Sequence, residues 1–157
     1  MLVVIIMGSP SDAPFCGRVT DALDNFGIPW ATRVASAHKV PRELLDLLEA
    51  YEADATPKVY ITVAGRSNAL SGLVDAQVSA PVIACPPYSD KFSGGDLLSS
   101  LRMPSGVAPA VVLEPESAAL LAAKMLGLVK PRLRQEVREA QERHTQRLLD
   151  ADAAARA

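Results

Sequence analysis

Residues 58–64, KVYITVA, form a run dominated by β-branched and aromatic residues, with little polar alternation. A strand wetted on one face alternates apolar with polar residues; a strand covered on both faces does not, so this segment predicts a strand buried between two helical layers. Working outward, four more short apolar runs predict strands at Leu2–Met7, Trp30–Ala35, Val82–Cys85 and Ala110–Leu113. Helical patterns lie between them at 13–26, 41–53, 68–79 and 116–127. Leu44, Leu47, Leu48 and Tyr51 recur at spacings of three and four, which places them on one helix face. Strands alternating with helices in this way predict a parallel sheet covered on both sides, a doubly wound α/β sandwich.

The whole chain, 1–157, reads as one domain, long enough to bury a substantial core. Aromatic residues are only 4% of the chain against 49% hydrophobic, so that core must rest on Val, Ile, Leu and Ala. The net charge of −2 gives no support for a nucleic-acid partner, which calls for a basic excess. A small anionic ligand stays open, because its site needs only local donors. The opening run LVVIIM is shorter than a signal peptide's core and has no basic flank. No stretch approaches the length of a membrane span. Cys16 and Cys85 make no CxxC pair and are expected as reduced core residues. A cytosolic protein without membrane contact is the expectation.

Two stretches break the alternation. PPYSDKFSGG, residues 86–95, is a long loop by its prolines, glycines and polar residues, and so is 102–108. Long loops in compact domains are either functional lids or plain mobile connections. From about 131 to 153 the chain is strongly charged and helical, with a thin apolar stripe of Leu133, Val137, Ala140 and Leu148. Such a stripe suits packing on another subunit as well as on its own domain.

In open parallel sheets, ligands gather at the carboxyl ends of the strands. After the first strand comes Gly8-Ser9-Pro10-Ser11-Asp12, a turn with hydroxyls at the start of a helix. Helix amides and dipole favour an anion such as phosphate there, although Ser11 or Asp12 as a simple N-cap explains the same residues. The loop is neither GxGxxG nor a P-loop, so nothing indicates NAD or ATP. After the second strand, Ser36-Ala37-His38-Lys39 sets one of only two histidines beside a cation. An imidazole there suits general acid/base work, against the alternative of an ordinary surface histidine. His144 lies in the charged C-terminal helix and reads as surface. After the third strand, residues 64–72 read AGRSNALSG. Its small residues let a flat ring approach the backbone, while a plain turn capped by Ser67 is the competing reading. Cys85-Pro86-Pro87 follows the fourth strand; its Pro-Pro step is a candidate for a cis bond. Together these loops suggest proton transfer on a small phosphorylated molecule.

MGSPSD, SAHK, AGRSNALSG, CPP and SSLRMPSG, in this order and spacing, resemble the PurE family of aminoimidazole ribonucleotide carboxylases. The likeness runs from the first strand to the helix ending near Leu128. One branch of that family, a mutase acting on N5-carboxyaminoimidazole ribonucleotide, has SAHR and AGGAAHLPG. Here Lys39 replaces the arginine, and Arg66-Ser67-Asn68 replaces the Gly-Ala-Ala run. SAHK with AGRSNALSG is similar to class II, which uses CO2 directly.

The resemblance implies a three-layer, flavodoxin-like sandwich with a central parallel sheet and a long C-terminal helix. It implies reversible, cofactor-free and metal-free conversion of 5-aminoimidazole ribonucleotide plus CO2 to 4-carboxy-5-aminoimidazole ribonucleotide. Residue by residue, it puts the phosphate on Ser11, Ser36 and Lys39, the ribose hydroxyls on Asp12, and Ser9 near the ring and CO2. His38 would carry the proton, and Gly65, Ser67, Asn68 and Ala69 would flank the imidazole and its carboxyl group. It also implies a homo-oligomer, commonly an octamer, built partly through the C-terminal helix, whose stripe by itself suits a tetramer as well.

Overall fold

The computed structural model describes residues 1–156. Five parallel strands form one sheet in the order β2-β1-β3-β4-β5: β1 Leu2–Met7, β2 Trp30–Val34, β3 Lys58–Val63, β4 Val82–Ala84 and β5 Ala110–Val111. Six α-helices accompany them: α1 Ala13–Asp24, α2 Pro41–Glu52, α3 Ala69–Gln77, α4 Leu98–Leu101, α5 Pro115–Leu126 and α6 Pro131–Ala155. This is the expected flavodoxin-like sandwich, and each strand lies within a stretch read as one.

KVYITV lies at the centre of the sheet, and all six of its residues are buried. Its side chains divide between two cores. Val59, Ile61 and Val63 join Val3, Ile5 and Met7 of β1 against α1, α5 and the start of α6. Tyr60 joins Val4 and Ile6 against Leu44 and Leu48 of α2 and Leu70 and Val74 of α3. The period of two along each strand therefore feeds one helical layer per face. Cys16 and Cys85 are unpaired and buried in the first core, as expected. Burial pushes both thiols up, Cys16 to about 11 and Cys85 to about 12, so both stay protonated near neutrality.

Four differences from the sequence reading have local causes. Proline opens α2, α5 and α6, where its missing N–H costs nothing, so α5 begins at Pro115 rather than at 116. β5 pairs over only two residues instead of four, because it is an edge strand and Pro115 soon starts a helix. The 86–95 loop runs into a 3-10 segment, Lys91–Leu97, broken by three successive left-handed residues: Phe92 (φ 55°), Ser93 (φ 54°) and Gly94 (φ 74°). Among the described residues every peptide bond is trans, which corrects the idea of a cis bond at Pro86–Pro87. Also among the described residues, no helix is long and apolar enough to cross a membrane.

The C-terminal stripe divides. Leu133 and Val137 are buried in the first core, whereas Leu148 is 60% exposed on a distal half that touches none of its own domain's core.

Candidate active site

The sheet order brings the ends of β1, β2 and β3 side by side. The Gly8 N–H donates to the Val63 carbonyl at 2.9 Å, and the Ala35 N–H donates to the Met7 carbonyl at 3.0 Å. Three loops thus leave one edge together. They enclose, with residues 87–89, an open cleft of about 600 Å³. Ser9, Ser11, Asp12, Ser36, His38, Lys39, Gly65 and Ser67 all line it.

The β1 loop is tightly built. A Cβ at Gly8 would come within 3.3 Å of the Ala64 Cβ, so this position is small because two loops meet there. Its φ is not in the left-handed region, and close approach rather than a sharp turn accounts for the glycine. Ser9 caps the short 3-10 turn Pro10–Asp12: its Oγ accepts the Ser11 N–H at 3.3 Å and lies 2.8 Å from the Ser11 Oγ. Asp12 precedes α1 but makes no side-chain cap bond, so neither residue proposed as a cap serves α1 in that way. Burial raises the Asp12 carboxyl above the usual range, opposed by a hydrogen bond from the Ser9 backbone. Two hydroxyls at a helix start make this end of the cleft suited to an anion.

In the β2 loop, the Ser36 carbonyl accepts the N–H groups of Lys39 at 3.2 Å and Val40 at 3.0 Å. This turn leaves His38 and Lys39 exposed at the cleft wall, ahead of α2. His144 sits on the exposed outer half of α6, 3.2 Å from the Arg147 guanidinium and remote in sequence from every cleft residue.

The β3 loop departs most from the sequence reading. Asn68, not Ser67, caps α3: its Oδ1 accepts the Ser71 N–H at 3.1 Å and the Ser71 hydroxyl at 2.8 Å. Its Nδ2 donates to the Ser100 Oγ at 2.9 Å, and the residue is only 2% exposed. Both ends of its amide are therefore engaged inside the protein. Asn68 and Ala69 line a neighbouring groove with Arg102 and Met103 instead of the cleft. Gly65 and Ser67 remain at the cleft.

Arg66, Pro87, Tyr88 and Ser89 also line the cleft without having been singled out for it. Arg66 lay inside a quoted motif, but nothing in the motif told that it would be left-handed, at φ 57°, and face the cleft. The 86–95 loop carried a signal, its length and composition, but nothing local told which of its residues would turn inward. Among the described residues, no three His, Cys, Asp or Glu side chains cluster so as to hold a metal ion. Among the described residues, the cleft combines hydroxyl donors, two cationic side chains, one imidazole and one carboxyl group. That set can hold a phosphorylated ligand and exchange a proton with it.

The AIR carboxylase family profile matches residues 2–147. The chain is 49% identical over 151 residues to phosphoribosylaminoimidazole carboxylase of Treponema denticola, covering 96% of this chain and 95% of that one. It is 51% identical over 152 residues to the same-named enzyme of Archaeoglobus fulgidus, covering 97% and 83%. It also resembles, at 46% identity over 126 residues, 30% of the bifunctional carboxylase/succinocarboxamide synthetase of Homo sapiens. The crystal structure of Treponema denticola PurE superposes with a TM-score of 0.96 at 48% identity, covering 98% of this chain and 97% of that one.

Proposed function

The chain belongs to the AIR carboxylase family, and from that premise we propose that it carboxylates 5-aminoimidazole ribonucleotide with CO2, reversibly and without a cofactor, as a cytosolic step of purine biosynthesis. The observation that carries this reading is the convergence of three strand-end loops on one cleft whose wall holds His38.

The ring is an enamine-like nucleophile. Its C4 attacks the CO2 carbon, forming the new C–C bond and leaving C4 with both a hydrogen and a carboxylate. His38 takes that proton, the C–H electrons return to the ring, and aromaticity is restored; decarboxylation runs the same step backwards. Ser11, Ser36 and Lys39 hold the phosphate, and Asp12 the ribose hydroxyls, so the ring is oriented by contacts remote from C4. Ser9 lies beside the ring and CO2, while Gly65 and Ser67 flank the imidazole and the developing carboxylate. Buried Asn68 supports that loop from below, and Ala69 starts the helix behind it. The Lys39 and Arg66-Ser67-Asn68 pattern favours free CO2 over an N5-carboxylated ribotide as carbon donor.

The assembly belongs to the same reading: a homo-octamer, with exposed Leu148 and Leu149 of α6 as part of its contacts.

The test is His38→Asn assayed in both directions beside the wild-type protein. Turnover falls by roughly 10²–10⁴-fold, with ribotide binding by calorimetry largely retained. Wild-type turnover in the variant overturns the assignment. Wild-type conversion of the N5-carboxy substrate but not of aminoimidazole ribotide plus bicarbonate overturns the CO2 reading.

A further inference from the structure

The turn after β3 holds a residue in a conformation that side chains avoid. Arg66 is left-handed, at φ 57°, a region that is strained for a residue with a Cβ and persists only where surrounding structure enforces it. The enforcement comes from a segment thirty residues further on. Asp96 Oδ2 accepts the Arg66 N–H at 3.2 Å. Ser99 Oγ accepts the Asn68 N–H at 2.9 Å and offers its one proton to the Asp96 carbonyl at 2.7 Å or the Arg66 carbonyl at 3.0 Å. Both sides of the Arg66-Ser67-Asn68 turn are therefore gripped, while Gly65 and Ser67 stay turned to the cleft. Asp96 does not line that cleft.

We propose that Asp96 and Ser99 are positioning residues for the carboxylation step, clamping the Arg66 turn so that Gly65 and Ser67 present one fixed geometry to the reacting carboxyl group. The inference rests on the reading of this cleft as the carboxylation site. The clamp acts on only one of the three loops. Phosphate and ribose are assigned to the β1 and β2 loops, which make no hydrogen bond to Asp96 or Ser99 among the described residues. Without its acceptor the Arg66 N–H loses its partner, the left-handed turn relaxes, and the peptide planes on either side of Arg66 rotate. Misplacement of order 1 Å near the chemistry costs about 10²-fold in rate.

The experiment compares Asp96→Ala, Asp96→Asn and Ser99→Ala with the wild-type protein in kcat, ribotide KM, melting temperature and amide hydrogen exchange across residues 65–68. Asp96→Ala lowers kcat by roughly tenfold or more, with ribotide KM within about twofold. Ser99→Ala behaves in the same direction. Asp96→Asn, whose amide oxygen still accepts the Arg66 N–H, recovers most of the lost turnover. Exchange at Arg66 rises in Asp96→Ala. Unchanged kcat and exchange in Asp96→Ala refute the clamp, and so does a loss of kcat that tracks melting temperature in all three variants. Raised exchange in a protein whose wild-type form carboxylates nothing upholds the clamp on the turn and refutes the reaction, so the two failures are distinct.

Discussion

Asp12 sets binding against stability within one side chain. Burial raises its carboxyl above the ordinary range even though the Ser9 backbone donates to it. The folded protein therefore takes up this proton at a higher pH than the unfolded chain does. Its favourable contribution is complete below the unfolded carboxyl pKa and is lost as pH rises through the folded value. Asp12→Asn removes the cost of burying the charge. Thermal unfolding then shows the variant melting above the wild-type protein near neutral pH and together with it in acid, while its ribotide KM rises. An Asn variant that melts lower near neutral pH means the charge is favourable where it stands. The place of Asp12 in the lining of the cleft was legible from its position after a strand, because strand-end position is local information. The inward burial of Asn68 was not: its cap bond to Ser71 is local, but Ser100, which takes the other end of the amide, is brought up only by the packing of α3 against α4.

Among the elements, α6 separates what periodicity says from what packing decides. The spacing of Leu133, Val137, Ala140 and Leu148 correctly marked one face of a helix. It carried no information about how far the rest of the domain extends beneath that face. Leu133 is 1% exposed against the first core, and every residue from 141 to 156 is exposed. Leu133→Ala is expected to cost about 2–5 kcal/mol, read as a lowered urea midpoint with unchanged slope. A midpoint within error of wild type shows that the domain does not depend on α6 docking. β2 gives the same lesson. Its composition marked a strand, yet Trp30 and Val34 are 39% and 54% exposed, because the sheet has no neighbour beyond it.

For the molecule as a whole, the outer half of α6 is the feature that the single chain leaves unused. Deleting residues 144–157 removes Leu148 and Leu149 but nothing from either core. The expected outcome is a folded α/β domain of lower assembly mass by light scattering; an unchanged assembly rules this helix out as a contact. The sequence by itself determined the alternation of strands and helices, the doubly covered centre at KVYITVA and the loops that line the cleft. Each of these is local: β-branched runs, proline at helix starts, and polar small residues directly after strands. Only the tertiary structure decided the strand order that sets β1 between β2 and β3 and so gathers three loops around His38. Only it showed Arg66 left-handed with its N–H on the Asp96 carboxylate, and α6 divided between a buried and an open half. Those outcomes depend on contacts between residues far apart in the chain, and the free energy of such contacts exists only once the surfaces they join have met.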